Sequence, residues 1–318
     1  MKNFNDTLQH FLFENVVEDA LSIEKSSKPK PIRGNLVHLN QTFQQVLQHQ
    51  SLPTRLKQAL GELMAASALL SATLKMDGAL VLQLQSKGAL KLLVVECSQD
   101  LNLGLHMRAT AKWDETLNDD INNDSFVDLV KNGQFVITLD PSEGEAYQGI
   151  VPIEGETIAE MLQNYMLRSQ QIDTSLWLHC DNDSASGMLL QKLPSTLEND
   201  FFTGDADAWN RMNILANTVT NEELKNLNPE ALLSRLFSEE NVRLFEPKTT
   251  QFRCSCSKTK VGNMLRLLGA DEVNSILAEL GKIEVNCDFC NKQYLFDALD
   301  AAQILAASDT IKTSTAKH

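Results

Sequence analysis

The chain has 318 residues, of which 43% are hydrophobic and 22% are charged, and its formal net charge at pH 7 is −14. This length allows a main domain with a full hydrophobic core and one or two smaller units. The negative charge argues against nucleic acid as a partner, because a surface that binds phosphates must be positively charged. No apolar run reaches the roughly 20 residues that a membrane-spanning helix needs, so no membrane association is expected.

The N-terminal sequence predicts a cytoplasmic protein. It has neither a basic leader followed by an apolar stretch nor a small-residue cleavage site, so we expect no secretion. Thiols are kept reduced in the cytosol. Clustered cysteines are therefore expected to hold a metal or to react with oxidants, and not to form permanent disulfides.

Residues 1–194 predict a mixed domain of the α+β class, because strands and helices do not alternate regularly. Two prolines predict a loop at residues 25–31. Leucines at steps of three and four predict a helix at residues 53–75 that packs closely against a sheet, and a second helix is predicted at 157–168. Strands are predicted at residues 80–85, 90–96, 135–139, 146–151 and 174–179.

Residues 195–247 are polar and acidic but retain helix signals. Residues 205–219 are amphipathic through Trp209 and Met212, and Asn228 is a candidate N-cap with Pro229 at the first helical position. Short helices surrounded by charge depend on tertiary contacts for their stability. We therefore expect this segment to unfold when a neighbouring part of the molecule is lost.

Four of the six cysteines lie in the last quarter of the chain, as Cys254-Ser-Cys256 and, after thirty residues, Cys287-Asp-Phe-Cys290. Two short chelates separated by a long loop can deliver four sulfurs to a tetrahedral Zn²⁺ ion without strain. Helices are predicted at residues 261–268 and 271–280, and strands at 283–286 and 294–296, with a frayed tail at 308–318. The metal would therefore connect a loop to a hairpin.

The cysteine pattern leaves three interpretations open. A permanent structural zinc that stabilises an interaction or regulatory module is the common use of such a site. A thiol oxidoreductase would need a helix N-terminus at Cys287, whereas the residues after Cys290 favour a strand and Asp288 opposes thiolate formation. A redox sensor is favoured by the short spacing of Cys254 and Cys256, because a disulfide in so small a ring is easily reduced.

The evidence for other functional sites in the sequence is weaker. No glycine-rich loop for phosphate is present, so nucleotide-driven activity is unsupported. Ser186 and Gly187 lack the second glycine and the partners of a nucleophile motif, and they predict a turn followed by a strand. Cys97 and Cys180 end apolar runs, where buried and inert cysteines usually occur. No catalytic residues are identified, and the chain is not expected to be an enzyme.

With these residues in view, essentially the whole chain resembles the 33 kDa chaperonin family, the redox-regulated heat-shock holdases of bacteria. The resemblance rests on the CxC and CxxC signature at the four cysteines and on its flanks at residues 242–247, 252–253 and 283–285. Two further segments of the first domain, residues 165–171 and 187–194, are also similar to family stretches.

The resemblance implies three regions: an α+β core that binds clients and dimerises (1–194), a metastable helical linker folded over it (195–247), and a zinc-binding redox-switch domain (248–318). It implies an ATP-independent chaperone that captures unfolding proteins during oxidative stress. The reduced, inactive form would hold one Zn²⁺ per chain through Cys254, Cys256, Cys287 and Cys290. Oxidation would form the disulfides Cys254–Cys256 and Cys287–Cys290, release the zinc and give an active homodimer.

Physical chemistry supports this scheme. A structural zinc site contributes about 10–16 kcal/mol to the folding of a small domain, so its loss should unfold that domain and destabilise the linker. The apolar side chains of the linker would then become a candidate client surface. These side chains are Trp209, Met212, Leu215, Leu232, Leu236 and Phe237.

Overall fold

The computed structural model describes residues 6–17, 26–74, 77–100, 104–193, 205 and 207–306. Contacts divide the chain into a core unit, Met1–Arg253, and a cysteine unit, Cys254–His318. The predicted tail at residues 308–318 lies outside the described residues, as do residues 195–204 of the predicted linker. Within the described ranges, no helix combines the length and hydropathy needed to cross a bilayer.

The core unit contains both strands and helices. Its strands are β1 (Thr7–Val17), β2 (Ser26–Leu39), β3 (Gly78–Gln85), β4 (Leu90–Asp100), β5 (Gly104–Trp113), β6 (Gln134–Pro141), β7 (Tyr147–Pro152), β8 (Thr174–Cys180), β9 (Ala185–Lys192), β10 (Asn241–Leu244) and β11 (Lys248–Phe252). Its helices are α1 (Gln41–Leu47), α2 (Thr54–Ser71), α3 (Phe126–Leu129), α4 (Ile158–Ser169), α5 (Ala208–Ala216), α6 (Asn221–Asn226) and α7 (Pro229–Leu236), with a 3-10 helix at Glu115–Asn123.

The cysteine unit is smaller. Its elements are α8 (Lys258–Leu268), α9 (Ala270–Leu280), β12 (Ile283–Asn286), β13 (Gln293–Phe296) and α10 (Ala298–Ala306). Strands β12 and β13 form an antiparallel hairpin.

The strands of the core unit form one eleven-stranded sheet in the order β7-β6-β3-β4-β5-β11-β1-β2-β9-β8, with β10 paired to β1. Neighbouring strands are antiparallel, except that β11 runs parallel to β5. Among the described residues, β11 is the strand that pairs with both halves of the sheet, β3 to β7 on one side and β1, β2, β8 and β9 on the other. The predicted α+β class is confirmed.

Helix α2 lies in the main hydrophobic core and packs against β4, β8 and β9. Leu60, Leu63 and Leu69 are fully buried, and the small side chains of Ala65, Ala66 and Ala68 lie between the last two. Small side chains let a helix approach a sheet closely, so the leucines interdigitate with the strand residues. The helix predicted at residues 53–75 is therefore confirmed, together with its packing.

Helices α5, α6 and α7 cover a second apolar cluster on β1, β2 and β9. At its centre the rings of Phe13 and Phe237 meet edge to face, with centroids 4.9 Å apart. The side chains predicted as a client surface all belong here: Met212, Leu232, Leu236 and Phe237 are buried, and Trp209 and Leu215 are partly buried. The apolar residues of the linker are thus covered in this state.

Polar contacts also attach these helices to the strands. The Nε2 atom of His38 donates to the backbone carbonyl of Leu224 at 2.8 Å, and burial lowers the pKa of this histidine, which favours the neutral ring. Asp181, after β8, forms an ion pair with Lys225 of α6. Helix α6 is therefore fixed to the sheet by two polar contacts besides its apolar face.

One sequence prediction is wrong. Of the loop expected at residues 25–31, residues 26–31 instead begin β2, where Lys28 and Pro29 pair with Asn15 and Glu14 of β1, and residue 25 lies outside the described residues. Strand β9 pairs with β2 only from Ile32 onward. In the described residues, the N–H of Leu193, directly after β9, donates to the carbonyl of Pro31 at 2.8 Å. Proline can accept such a bond although it has no N–H to donate, so Pro31 is compatible with the strand.

The domain boundaries remain predictions. The contacts of the structure place α5, α6 and α7 within the core unit and begin the cysteine unit at Cys254. They neither separate residues 195–247 as a region of their own nor test the functions assigned to the three regions.

Helix α2 carries one carboxyl group with an altered acidity. Desolvation raises the pKa of Glu62 from 4.5 to about 7, against the opposing charge of Arg55. An acid whose pKa is higher in the folded state destabilises the fold when it ionises. This contribution is absent below about pH 4.5, grows as the pH rises, and is complete above about pH 7.

We therefore expect Glu62→Gln to raise the midpoint of thermal unfolding by a few degrees near pH 8 and to leave it unchanged near pH 4, because only the ionised carboxylate is penalised. Thermal unfolding at both pH values checks this. Glu143→Gln, at an exposed turn, is the matched control. Equal midpoints for the two variants near pH 8 would contradict the assignment.

Candidate metal centre

The structure brings together the four cysteines that the sequence nominates as metal ligands. The Sγ atoms of Cys254, Cys256, Cys287 and Cys290 all lie within 4.8 Å of one another. The Sγ atoms of Cys254 and Cys287 are 3.7 Å apart and those of Cys256 and Cys290 are 3.5 Å apart, so close contacts link the first pair of cysteines to the second. All four side chains are half-buried, so a small molecule in solution can reach them.

The first pair lies between β11 and the start of α8. The side chain of Ser257 accepts a hydrogen bond from the backbone N–H of Lys260 and caps the helix. Helix α8 therefore begins directly after Cys256. The free N–H groups and positive dipole end of a helix N-terminus stabilise a nearby thiolate.

The second pair forms the turn between β12 and β13. The backbone N–H of Asn291 donates to the carbonyl of Cys287 at 2.8 Å, and the N–H of Cys287 donates to the carbonyl of Lys292 at 3.0 Å. Asn291 has φ of 54°, a left-handed conformation that asparagine tolerates. The residues after Cys290 form a strand, as predicted, and not the helix of a thioredoxin-like centre.

Tyr294 is a site residue that the sequence analysis missed. Its hydroxyl donates to Sγ of Cys256 at 3.0 Å. In β13 the side chains of Tyr294 and Phe296 are buried and their neighbours are exposed. This alternation, read with the turn that precedes it, was the available signal that Tyr294 faces the sulfurs.

The thiols have different acidities. Burial opposes ionisation of Cys256, but hydrogen bonds from Tyr294 and the neighbouring thiols outweigh it and lower its pKa to about 7. Burial raises the pKa of Cys287, and it raises that of Cys290 to about 12. One thiolate therefore forms readily near neutral pH, whereas ionisation of all four requires a compensating positive charge.

The donor set fits a metal ion. Tetrahedral thiolate sites have metal–sulfur bonds of about 2.3 Å, which place their sulfurs about 3.8 Å apart. The distances of 3.5 and 3.7 Å between the pairs are close to this value. The four cysteines could therefore hold a metal ion with modest adjustment.

The described residues of the cysteine unit form only a small apolar core. Its apolar core consists of a few side chains beneath the sulfurs, and Cys256 and Cys287 pack against them. The buried members are Leu265, Val273, Ile283, Tyr294, Phe296 and Ala301. A core of this size supplies little hydrophobic stabilisation, so contacts among the sulfurs matter for the fold of this unit.

The remaining candidates belong to the core unit. Cys97 and Cys180 are buried in the core unit, as predicted, and burial raises the pKa of both thiols. Ser186 and Gly187 lie within β9, which matches the predicted structural role. In the part of the chain that the structure describes, the four cysteines form the one group of three or more residues placed to hold a metal.

Comparison with known proteins agrees with the resemblance seen in the sequence. A family model described as Hsp33 protein matches residues 23–297. The chain is 52% identical over 316 residues to a 33 kDa chaperonin of Methylobacillus flagellatus, and the match covers 99% of both chains. It is 43% identical over 319 residues to a 33 kDa chaperonin of Chromobacterium violaceum, again over 99% of both.

A solved structure shows the same fold. The crystal structure of a 33 kDa chaperonin from Thermotoga maritima matches with a TM-score of 0.71 and 20% identity, over 95% of this chain and 99% of that one. The match of the family model over most of the chain and the identity to the curated relatives decide the assignment. The chain belongs to the Hsp33 family of 33 kDa chaperonins.

Proposed function

We propose that the protein is a redox-regulated, ATP-independent holdase that binds unfolding proteins and prevents their aggregation under oxidative stress. It is inactive when reduced and zinc-bound, and disulfide formation with loss of zinc activates it. Membership of the Hsp33 family supports the chaperone role and the binding of unfolded clients. The convergence of four half-buried sulfurs within 4.8 Å is the observation that carries the redox part.

Cys254, Cys256, Cys287 and Cys290 would hold the metal, and Zn²⁺ suits them because it accepts four thiolates in a tetrahedron. When bound, the ion supplies positive charge that keeps the thiolates ionised and about 10–16 kcal/mol of folding free energy. The unit that contains these residues has a small core. Its folded state therefore depends on the four thiolates remaining reduced.

The redox step is a reaction of these thiolates with peroxide. Two thiolates, one hydrogen peroxide molecule and two protons give one disulfide and two water molecules. We propose the pairs Cys254–Cys256 and Cys287–Cys290. In the reduced structure Cys254 contacts Cys287 and Cys256 contacts Cys290, so bonding within each pair would replace these contacts. Such short disulfides constrain the unfolded chain little and do not replace the stabilisation that is lost.

Unfolding of the cysteine unit would then destabilise the helices of the linker. Helices α5, α6 and α7 contain only nine, six and eight residues and depend on packing against β1, β2 and β9. We propose that they separate from the sheet after the cysteine unit unfolds, which exposes the second apolar cluster to clients. The active form would be a homodimer in the cytoplasm, where thiols are normally reduced.

We expect peroxide with mild heating to release one zinc per chain and to make the protein suppress aggregation of an unfolding client. A chromogenic chelator measures the metal, and light scattering measures aggregation. Protein kept in dithiothreitol is the control, and peptide mapping identifies the disulfides. Zinc release without gain of activity would contradict the proposal, and resistance to peroxide would favour a permanent structural zinc.

We expect Cys287→Ser to weaken zinc binding by more than about 100-fold, because a hydroxyl is a far poorer zinc ligand than a thiolate. The variant should also be cleaved by protease within residues 205–247 without any oxidant. Zinc titration and limited proteolysis check both effects. Ser255→Ala, between the two cysteines of the first pair, is the control. A zinc-free variant that stays protease-resistant would show that the linker does not depend on the metal.

A further inference from the structure

Strand β11 ends two residues before Cys254. It lies between β5 and β1 and joins the two halves of the sheet of the core unit. Lys248 and Thr249 pair with Leu8 and Thr7 of β1 on one side. On the other side, residues 250–252 pair with residues 105–107 of β5, parallel to that strand. The first part of β11 thus contacts one half of the sheet and the second part contacts the other.

This strand is short, and its side chains also contact the core unit, since Gln251 lies 2.7 Å from His106 and the ring of Phe252 lies beside that of His49. The strand forms two residue pairs with β1 and three with β5. Of its five side chains, Thr250 alone is buried, with 5% of its surface exposed. Among the described residues, the hydroxyl of Thr250 has no hydrogen-bond partner, although it lies in the interior. A buried hydroxyl without a partner destabilises the structure, so an aliphatic side chain would suit this position better.

On the edge of β5 that faces β11, backbone groups of Met107, Ala109 and Ala111 have hydrogen-bond partners. The carbonyl of Met107 accepts a hydrogen bond from the backbone N–H of Arg253 at 3.0 Å. Beyond it, the side chain of Gln50 donates to the carbonyl of Ala109 at 3.0 Å and accepts from the N–H of Ala111 at 2.9 Å. A side-chain amide here takes the place of a neighbouring strand. Departure of β11 would leave backbone groups unpaired on both sides of the gap.

We propose that the gap between β1 and β5 is a client-binding site that takes an extended segment of an unfolding protein once β11 has left it. This inference rests on the proposed function, because unfolding of the cysteine unit would free the strand that leads into it. The incoming segment would pair with β5 through its main chain and place an aliphatic or β-branched side chain where Thr250 now lies.

The present occupant identifies the kind of partner. An extended segment of this chain already fills the site and is bound there through backbone pairing on both sides. Backbone recognition does not depend on the sequence of the partner, which suits a chaperone with diverse clients. Folded proteins seldom offer an extended segment with unpaired N–H and C=O groups, whereas an unfolding chain does.

A labelled peptide spanning residues 247–253 with Thr250→Val tests the site. We expect its fluorescence anisotropy to rise with peroxide-activated full-length protein and to remain low with reduced, zinc-bound protein. We also expect the peptide to compete with the client, so that light scattering from the aggregating client increases again. A second peptide that also carries Gln251→Pro has a similar composition but lacks a main-chain donor, and it should bind several-fold more weakly.

Variants of the full chain test the same site without a peptide. Thr250→Val removes the unpaired hydroxyl and should hold β11 in place, so peptide binding and holdase activity after activation should fall several-fold while zinc release stays unchanged. Thr249→Val has the same gain in β-propensity at an exposed position and should behave like the unsubstituted protein. A Thr250→Val chain that binds peptide as well as the unsubstituted protein would overturn the inference.

Different experimental results would contradict the strand-binding site and the redox-regulated holdase. Absence of peptide binding in protein that has lost zinc and gained holdase activity would overturn the strand site and leave the proposed function intact. Peptide binding after zinc removal by a chelator, without peroxide-dependent activity, would support the strand site and contradict the redox holdase. A peptide that blocks dimerisation but not client binding would assign the gap to a second copy of the chain and overturn the client assignment.

Discussion

Electrostatic repulsion among four sulfurs is the constraint on which the C-terminal part of the molecule depends. Thiolates confined within 4.8 Å repel one another unless a cation lies among them, and burial raises the pKa of two of these thiols. The small core beneath them cannot compensate for that repulsion. The same short distances that suit a metal ion therefore make this unit sensitive to any reaction that consumes its thiolates.

The core unit contains two separate apolar clusters. Its main core, around α2, is independent of the linker helices, whereas the second cluster is shared between the sheet and α5, α6 and α7. Separation of those helices would leave the main core intact while uncovering side chains such as Phe11 and Phe13 on the strands. A protein arranged in this way can expose a sticky surface without losing its fold.

The sequence predicts structure correctly where the residues of a single segment determine its conformation, as at helix ends. Asn228 caps α7 through a bond from the N–H of Ala231, as predicted, and α9 ends at Leu280, the predicted last residue, with Gly281 following in a left-handed conformation. The convergence of the cysteines followed from their spacing. Strands β1, β5, β10 and β11 were not predicted, because distant partners stabilise them more than their own composition does. Prolines in β2 suggested a loop, because the sequence does not reveal that they precede the ladder between β2 and β9.

The pairing of β1 with β11 also bears on how the chain is made. Thr7 and Thr249 are partners some 240 residues apart, so one edge of the first strand has no partner until nearly the whole chain has been synthesised. At a synthesis rate of about 5–20 residues per second this interval lasts roughly 10–50 s. Throughout it, an open strand edge lies on a nascent polypeptide, where it can pair with other chains. A protein proposed to protect others from aggregation therefore passes through its own aggregation-prone stage during translation.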